Sequence, residues 1–176
     1  FKICIGPDTI YGEQIQELRK IIESGTCYSN GSGTSSRREI ADIYQDYIFD
    51  HLKVRPGQRI VVDGGNGVGG FFALPLLKRY GCRVTDIYCN PDGRFPNHFP
   101  DPTIPENLRE LTRLVLEEKA EAGIAYDGDA DRIGVIASGR LVAEGTLTEL
   151  RRQNGHKDTS LEELFIALVD VKREAA

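Results

Sequence analysis

The chain of 176 residues carries 22 Lys and Arg against 27 Asp and Glu, for a formal net charge of -5, and is 40% hydrophobic and 28% charged. That balance suits one soluble domain with short flanking pieces, and it argues against nucleic acid as the main partner, because a phosphate backbone selects a concentrated basic surface. No apolar run approaches the roughly 20 residues of a membrane span, and Phe1-Lys2-Ile3-Cys4-Ile5 is too short for the apolar core of a signal peptide.

Taken in chain order, residues 2–5 read as a short strand, and Gly6-Pro7-Asp8 turns the chain into a helix with Ile15, Leu18, Ile21 and Ile22 on one face, stopped at Gly25. Residues 29–36 are a Gly/Ser-rich linker. Ser36 and Glu39 have capping-box spacing before a helix whose Ile40, Ile43, Tyr44, Tyr47 and Ile48 recur at helical intervals. Arg59–Asp63 is a strand that ends in Gly64-Gly65-Asn66-Gly67, with a helix following to about Tyr80. Arg83–Tyr88 is the next strand. Residues 90–105 form a loop holding five of the eight prolines. A helix from Glu106 carries Leu108, Leu111 and Val115, and the strand Gly123–Tyr126 runs straight into an acidic loop. Ile133–Ala137 and Arg140–Ala143 read as a hairpin around Ser138-Gly139. Thr146 and Glu149 open a short basic helix, Asn154-Gly155 breaks it, and Ser160 and Glu163 precede the apolar stripe Leu161, Leu164, Phe165, Leu168 and Val169.

Strands separated by helical patterns predict an α/β fold, a three-layer αβα sandwich on a mostly parallel, mixed sheet. Ligands of such sheets bind at loops leaving the carboxyl ends of strands, as the loops 63–70 and 127–132 do. The four cysteines, Cys4, Cys27, Cys82 and Cys89, lack CxxC spacing, so reduced thiols in a cytoplasmic protein are expected. There is no methionine.

The acidic loop is Asp127-Gly128-Asp129-Ala130-Asp131-Arg132. Three carboxylates within five residues repel one another unless a cation sits among them, and hard oxygen ligands suit Mg²⁺ or Ca²⁺ over zinc. An EF-hand fits poorly, because its sixth position would be Arg132 where a glycine is needed, and its twelfth Ser138 where a glutamate closes the loop. Arg132 offers a planar fork for phosphate oxygens beside the metal, and metal plus Arg is an electrostatic clamp for a transferring phosphoryl group.

Gly123 to Arg132 resembles the metal loop of the α-D-phosphohexomutases, the phosphomannomutase/phosphoglucomutase family. Asp63-Gly64-Gly65-Asn66-Gly67 resembles the first strand–turn of that family's domain 2. Pro91 to His98, Pro100-Asp101-Pro102 and Glu106-Asn107-Leu108 resemble its proline-rich loop and following helix. The resemblance covers about residues 1–140. It implies an α/β domain, Mg²⁺, and reversible phosphoryl transfer between the 1- and 6-positions of a hexose phosphate. On it, Asp127, Asp129 and Asp131 would hold Mg²⁺, Arg132 would contact the phosphoryl group carried by the enzyme's serine, and Lys2 would be the general acid/base.

The division expected is a remnant of domain 1 over 1–28, a linker over 29–38, domain 2 over 39–140, and a divergent or foreign helical tail over 141–176. Part of that tail is similar to the tail of ABC-transporter ATPase subunits, without the Walker A loop or signature motif. The phosphoserine and the two sugar- and phosphate-reading domains of the family are not in these residues, so a fragment inactive alone, possessing surface for a homodimer, is expected. Two rival readings remain. Gly65-Asn66-Gly67-Val68-Gly69-Gly70, with Asp86 near the next strand, fits a dinucleotide-binding turn. A non-catalytic interaction module is the other.

Overall fold

Residues 3–26 and 32–153 are described by a computed structural model. They divide at Arg38 into two units. In the first unit, β1 (Ile3–Ile5) pairs antiparallel with β2 (Asp8–Ile10) across Gly6, whose φ of 59° is the left-handed conformation that a tight reversal asks of glycine. The expected direct passage from Asp8 into a helix is thereby corrected. Asp8, Thr9 and Ile10 form a second strand, because the turn brings them into register with Ile5, Cys4 and Ile3. Helix α1 (Glu13–Ser24) follows and stops at Gly25, φ 65°, whose N–H bonds back to Ile22. Ile15 and Leu18 on its apolar face are half-buried, whereas Ile21 and Ile22 are exposed.

The second unit begins with α2 (Ala41–His51), which starts after Ile40 with no side-chain cap. The Ser36–Glu39 capping box therefore does not open this helix. Burial of one face holds it instead: Phe49 stacks on Tyr80 with ring centroids 4.8 Å apart, and the Tyr80 hydroxyl donates to the carbonyls of Ile48 and Leu52 at 3.0 Å each. The Ile48 carbonyl also accepts the Leu52 N–H at 2.8 Å, so the hydroxyl ties together the two residues that close the helix. The predicted stripe is consequently turned outward at Ile40, Ile43, Tyr44 and Tyr47, all more than half exposed.

Five strands make the sheet: β3 (Arg59–Asp63), β4 (Arg83–Ile87), β5 (Ala122–Tyr126), β6 (Arg132–Ala137) and β7 (Arg140–Thr146), in the order β4-β3-β5-β6-β7. β3 pairs parallel with both β4 and β5, while β6 pairs antiparallel with β5 and β7, so only β6 runs against the rest. Arg-Ile-Val-Val-Asp in β3 is buried from Ile60 onward, as a strand covered on both faces must be. On one face Ile60, Val62, Tyr80, Cys82 and Cys89 pack with Phe49 of α2 and with Leu74, Leu76 and Leu77 of α3 (Gly69–Arg79). On the other, Val61, Ala125 and Ile136 pack with Leu108, Leu111 and Val115 from a 3₁₀ turn (Pro105–Leu108) and α4 (Arg109–Glu117). This is the three-layer αβα arrangement expected. Leu111 is fully buried at the centre of the second face. Leu111→Ala should cost about 3 kcal/mol and lower the melting temperature by about 10 °C, read by thermal denaturation.

β7 continues to Thr146, three residues beyond the predicted Ala143. It leads into α5 (Leu147–Gln153) through the expected capping box, in which the Thr146 N–H donates to Glu149 Oε2 at 2.8 Å and the Glu149 N–H to Thr146 Oγ1 at 3.2 Å. Leu150 is buried with Val135 and Ala143, so the chain just past residue 140 packs on this sheet. The signature at Ser160 and Glu163 and the stripe from Leu161 to Val169 lie outside the described residues. No helix among the described residues is long and apolar enough to cross a membrane. Among them Cys4, Cys82 and Cys89 are free, and burial pushes the Cys89 thiol up to about 11.

Candidate metal centre

The acidic loop is the connection between β5 and β6, whose ladder closes at the Tyr126–Ile133 pair. Asp127 is its buried anchor. The Asp127 N–H donates to the Arg132 carbonyl at 3.2 Å, while its carboxylate accepts the Arg132 N–H at Oδ1 (3.1 Å) and the Arg132 Nε–H at Oδ2 (3.0 Å). The Ala130 N–H returns to the Asp127 carbonyl at 3.2 Å, and Ala130 takes a left-handed φ of 62°. A Cβ makes that conformation costly for any residue but glycine, so the closed turn holds Ala130 there against a local steric penalty.

This closure converges the side chains. One carboxylate oxygen from each of Asp127, Asp129 and Asp131 lies within 4.8 Å of the other two, with Asp127 buried and the other pair exposed. At a bond length of about 2.1 Å, octahedral Mg²⁺ holds adjacent oxygens about 3.0 Å and opposite ones about 4.2 Å apart, so the triad is gathered near an ion's reach and closes further on binding one. The crowding registers in the Asp131 carboxyl, held above its ordinary range first by a hydrogen bond with Asp127, then by slight desolvation and by repulsion from Asp127 and Asp129. Arg132 opposes that shift. Its guanidinium, about one-third exposed, meets Asp127 at 3.0 Å, Asp131 at 3.6 Å and, from outside the loop, Asp101 at 3.4 Å.

The glycine-rich turn after β3 is the bed on which this loop rests. A Cβ on Gly67 would stand 2.7 Å from the Gly128 carbonyl oxygen and 2.9 Å from the Gly128 Cα, and one on Gly69 2.6 Å from the Tyr126 ring. The Val68 N–H also donates to the Gly128 carbonyl at 3.2 Å. The dinucleotide reading of these glycines therefore fails on packing. The side from which a pyrophosphate would approach is filled by Gly128, Tyr126, Pro100 and Cys89.

The proline-rich loop closes the third side. Asn66 ties the turn to it: the Asn66 Nδ2 donates to the Asn90 carbonyl at 2.9 Å, the Asn97 Nδ2 donates to Asn66 Oδ1 at 2.7 Å, and the Asp92 N–H donates to the Asn66 carbonyl at 2.9 Å. His98 reaches back with both ring nitrogens, Nε2 to the buried Asp63 carboxylate at 3.1 Å and Nδ1 to the Phe99 carbonyl at 2.9 Å. Both partners are acceptors, so the doubly protonated ring satisfies them best. The Asp63 bond first, with the Phe99 carbonyl and more distant Glu110 adding to it, raises the His98 pKa against the opposing effect of burial. A raised pKa adds stability that is complete below the unfolded value of about 6.5 and fades as pH rises through the folded one. The urea midpoint should thus fall between pH 6 and pH 8.5 by the equivalent of about 1 kcal/mol or less, since the ring is only partly shielded, and His98→Gln should flatten that slope.

The structure brings Asp127, Asp129, Asp131 and Arg132 into one site, while Lys2 lies outside the described residues. Sequence reading missed Asp101 and the Asp63–His98 pair as parts of this neighbourhood. Asp101 and His98 stood in the Pro-rich motif and Asp63 in the glycine turn, but Asp101 and Arg132 are 31 residues apart and His98 and Asp63 35.

The family profile for phosphoglucomutase/phosphomannomutase, alpha/beta/alpha domain II, matches residues 40–139. A phosphoglucomutase from Neisseria gonorrhoeae is 46% identical over 137 residues, which are 77% of this chain and 30% of that protein. A phosphomannomutase/phosphoglucomutase from Pseudomonas aeruginosa is 44% identical over 138 residues, 78% of this chain and again 30% of its own length. Among solved structures, a phosphoglucomutase/phosphomannomutase family protein from Burkholderia thailandensis superposes with a TM-score of 0.63 at 41% identity, covering 76% of this chain and 29% of that one. The chain spans about 30% of the length of the curated relatives it matches. A matching profile over more than half the chain, on a sheet and an acidic loop of this form, places it: the chain belongs to the phosphoglucomutase/phosphomannomutase family, and residues 40–139 are its domain II.

Proposed function

We propose that this chain supplies the Mg²⁺-binding part of the active site of a cytoplasmic phosphosugar mutase that moves a phosphoryl group between positions of a hexose phosphate. The observation that carries the reading is the convergence of Asp127, Asp129 and Asp131 with Arg132 at the carboxyl end of β5. Bound among those carboxylates, Mg²⁺ would supply charge neutralisation for a transferring phosphoryl group. Asp127 holds the backbone of the loop closed and orients the Arg132 side chain through Nε. Arg132 presents the remaining guanidinium edge, about one-third exposed, to phosphate oxygens. The glycine turn fixes the height of the loop from below. Lys2 is assigned proton transfer on the resemblance alone. No Ser-His pair occurs in the 176 residues, so the nucleophilic serine of the family is assigned to sequence outside them.

The test is a Mg²⁺ titration of the full chain followed by backbone amide shifts. Saturable shifts confined to 127–132 and its bed at 64–68 are expected, together with no isomerisation of glucose 1-phosphate by the chain alone. A loop that ignores millimolar Mg²⁺ would sink the reading, and turnover would overturn the assignment of the serine elsewhere.

A second reading, self-association, rests on a separate observation. Ile43, Tyr44 and Tyr47 on α2 and Phe71 on α3 are large, apolar and more than half exposed, and Tyr44 meets Phe72 edge to face. Solution mass measured across a concentration series decides it, and a strict monomer counts against it.

A further inference from the structure

Arg132 is held by three carboxylates, two of which belong to the acidic triad. Asp127 and Asp131 share their carboxylates between the cation site and the guanidinium, so a bound divalent ion competes with Arg132 for their charge. Asp101 is different. It stands on the proline-rich loop outside the triad, its side chain about one-fifth exposed, and meets Arg132 Nη1 with Oδ1 at 3.4 Å.

That carboxylate is itself tied down. The Thr103 N–H and the Thr103 hydroxyl donate to the same Oδ1 at 3.0 and 2.7 Å. The backbone at Asp101 is pinned as well: its N–H donates to the Phe99 carbonyl at 2.8 Å, and its carbonyl accepts from Asn107 Nδ2 at 2.9 Å. The bonds from Thr103 hold its pKa below the ordinary carboxylate range, with Arg132 adding to the effect against slight burial. An ionised, immobilised acceptor at the far end of the guanidinium orients the arginine without competing for the metal.

We infer that Asp101 is a positioning residue, which keeps the Arg132 fork aimed at a phosphate group while the triad is occupied by a divalent cation. The inference rests on the metal-centre reading above. It also makes a prediction opposite in sign to simple electrostatics. Removing a negative charge near an anion site should tighten anion binding, whereas removing a positioning group should weaken it.

The experiment uses the full chain, with MgCl₂ and then inorganic phosphate as probes, followed by backbone amides and by the Arg132 Nε–H signal. In Asp101→Asn, Mg²⁺ affinity should stay within about twofold, Mg²⁺-dependent phosphate affinity should fall about tenfold, and the Arg132 Nε–H signal should broaden or shift. Thr103→Val, which removes the hydroxyl bond to the carboxylate and keeps the backbone one, should weaken phosphate by about threefold and guards against a folding defect in the first variant. Phosphate binding that is unchanged or tighter in these variants overturns the inference while leaving the metal centre standing. A wild-type loop that does not respond to Mg²⁺ defeats the metal-centre reading, and the positioning role with it.

Discussion

Asp127→Asn should lower divalent-cation affinity about 100-fold and, without any cation, cost the fold about 2–3 kcal/mol. The two losses have one origin. Asp127 is almost fully buried and its two oxygens accept from the Arg132 N–H and Nε–H, which close the β5–β6 connection. An amide keeps one acceptor and turns an NH₂ donor toward a guanidinium, leaving buried donors facing each other. Asp131→Asn tests the same loop with the opposite expectation for stability. Its carboxyl pKa is raised in the folded chain, so its contribution is favourable below the unfolded value of about 3.9 and is lost as pH climbs through the folded one. At pH 7 its charge is a cost. Neutralising it should therefore raise the cation-free melting temperature slightly, by the equivalent of about 0.5 kcal/mol for so exposed a group, while cation binding is still lost. Calorimetric titration with Mg²⁺ and melts with and without the ion read both variants. Equal destabilisation by the two substitutions would contradict crowding among the three carboxylates as the cause of the Asp131 shift.

Gly67→Ala is expected to cost about 2–3 kcal/mol and to weaken Mg²⁺ binding at least about tenfold, although residue 67 offers no ligand atom of its own. All three nearest atoms to the added methyl belong to the backbone of the metal loop: the Gly128 carbonyl oxygen, the Gly128 Cα and, at 3.1 Å, the Asp127 carbonyl oxygen. No flexible side chain is there to swing aside, so the loop must lift and the three carboxylates must separate. Gly93, where a methyl would meet nothing within 4 Å, provides the control, since Gly93→Ala should leave both quantities nearly unchanged. A Gly67→Ala protein with full Mg²⁺ affinity would show that the loop does not depend on its bed.

How far the site could be read in advance follows from where its partners lie in the chain. Asp127, Asp129, Asp131 and Arg132 were legible because their chemistry is local. Alternate carboxylates separated by Gly128 and Ala130 in a strand-to-strand turn can converge, and in the structure they do. The supporting residues were not legible, since Asp101 meets Arg132 across 31 residues and His98 meets Asp63 across 35. The glycine run was legible as a tight turn and misleading as a motif. Only packing shows that its open side is filled by the metal loop rather than left for a pyrophosphate.

The elements divide in the same way. By itself the sequence determined the αβα class, the strands β3 to β6, the stop of α1 at Gly25 and the Thr146–Glu149 cap of α5, because apolar periodicity and backbone hydrogen bonding act over a few residues. Tertiary structure alone decided which side of α2 is buried, since that helix has two apolar stripes and the stacking of Phe49 on Tyr80 selects one of them. It also decided that β7 and α5 pack on the same sheet through Leu150, and that the β1–β2 hairpin forms where a single strand was expected. Above all it decided the surroundings of the acidic loop. A short motif can specify four charged side chains, but their spacing comes from two segments distant in the chain, the glycine turn and the proline-rich loop, that close around them.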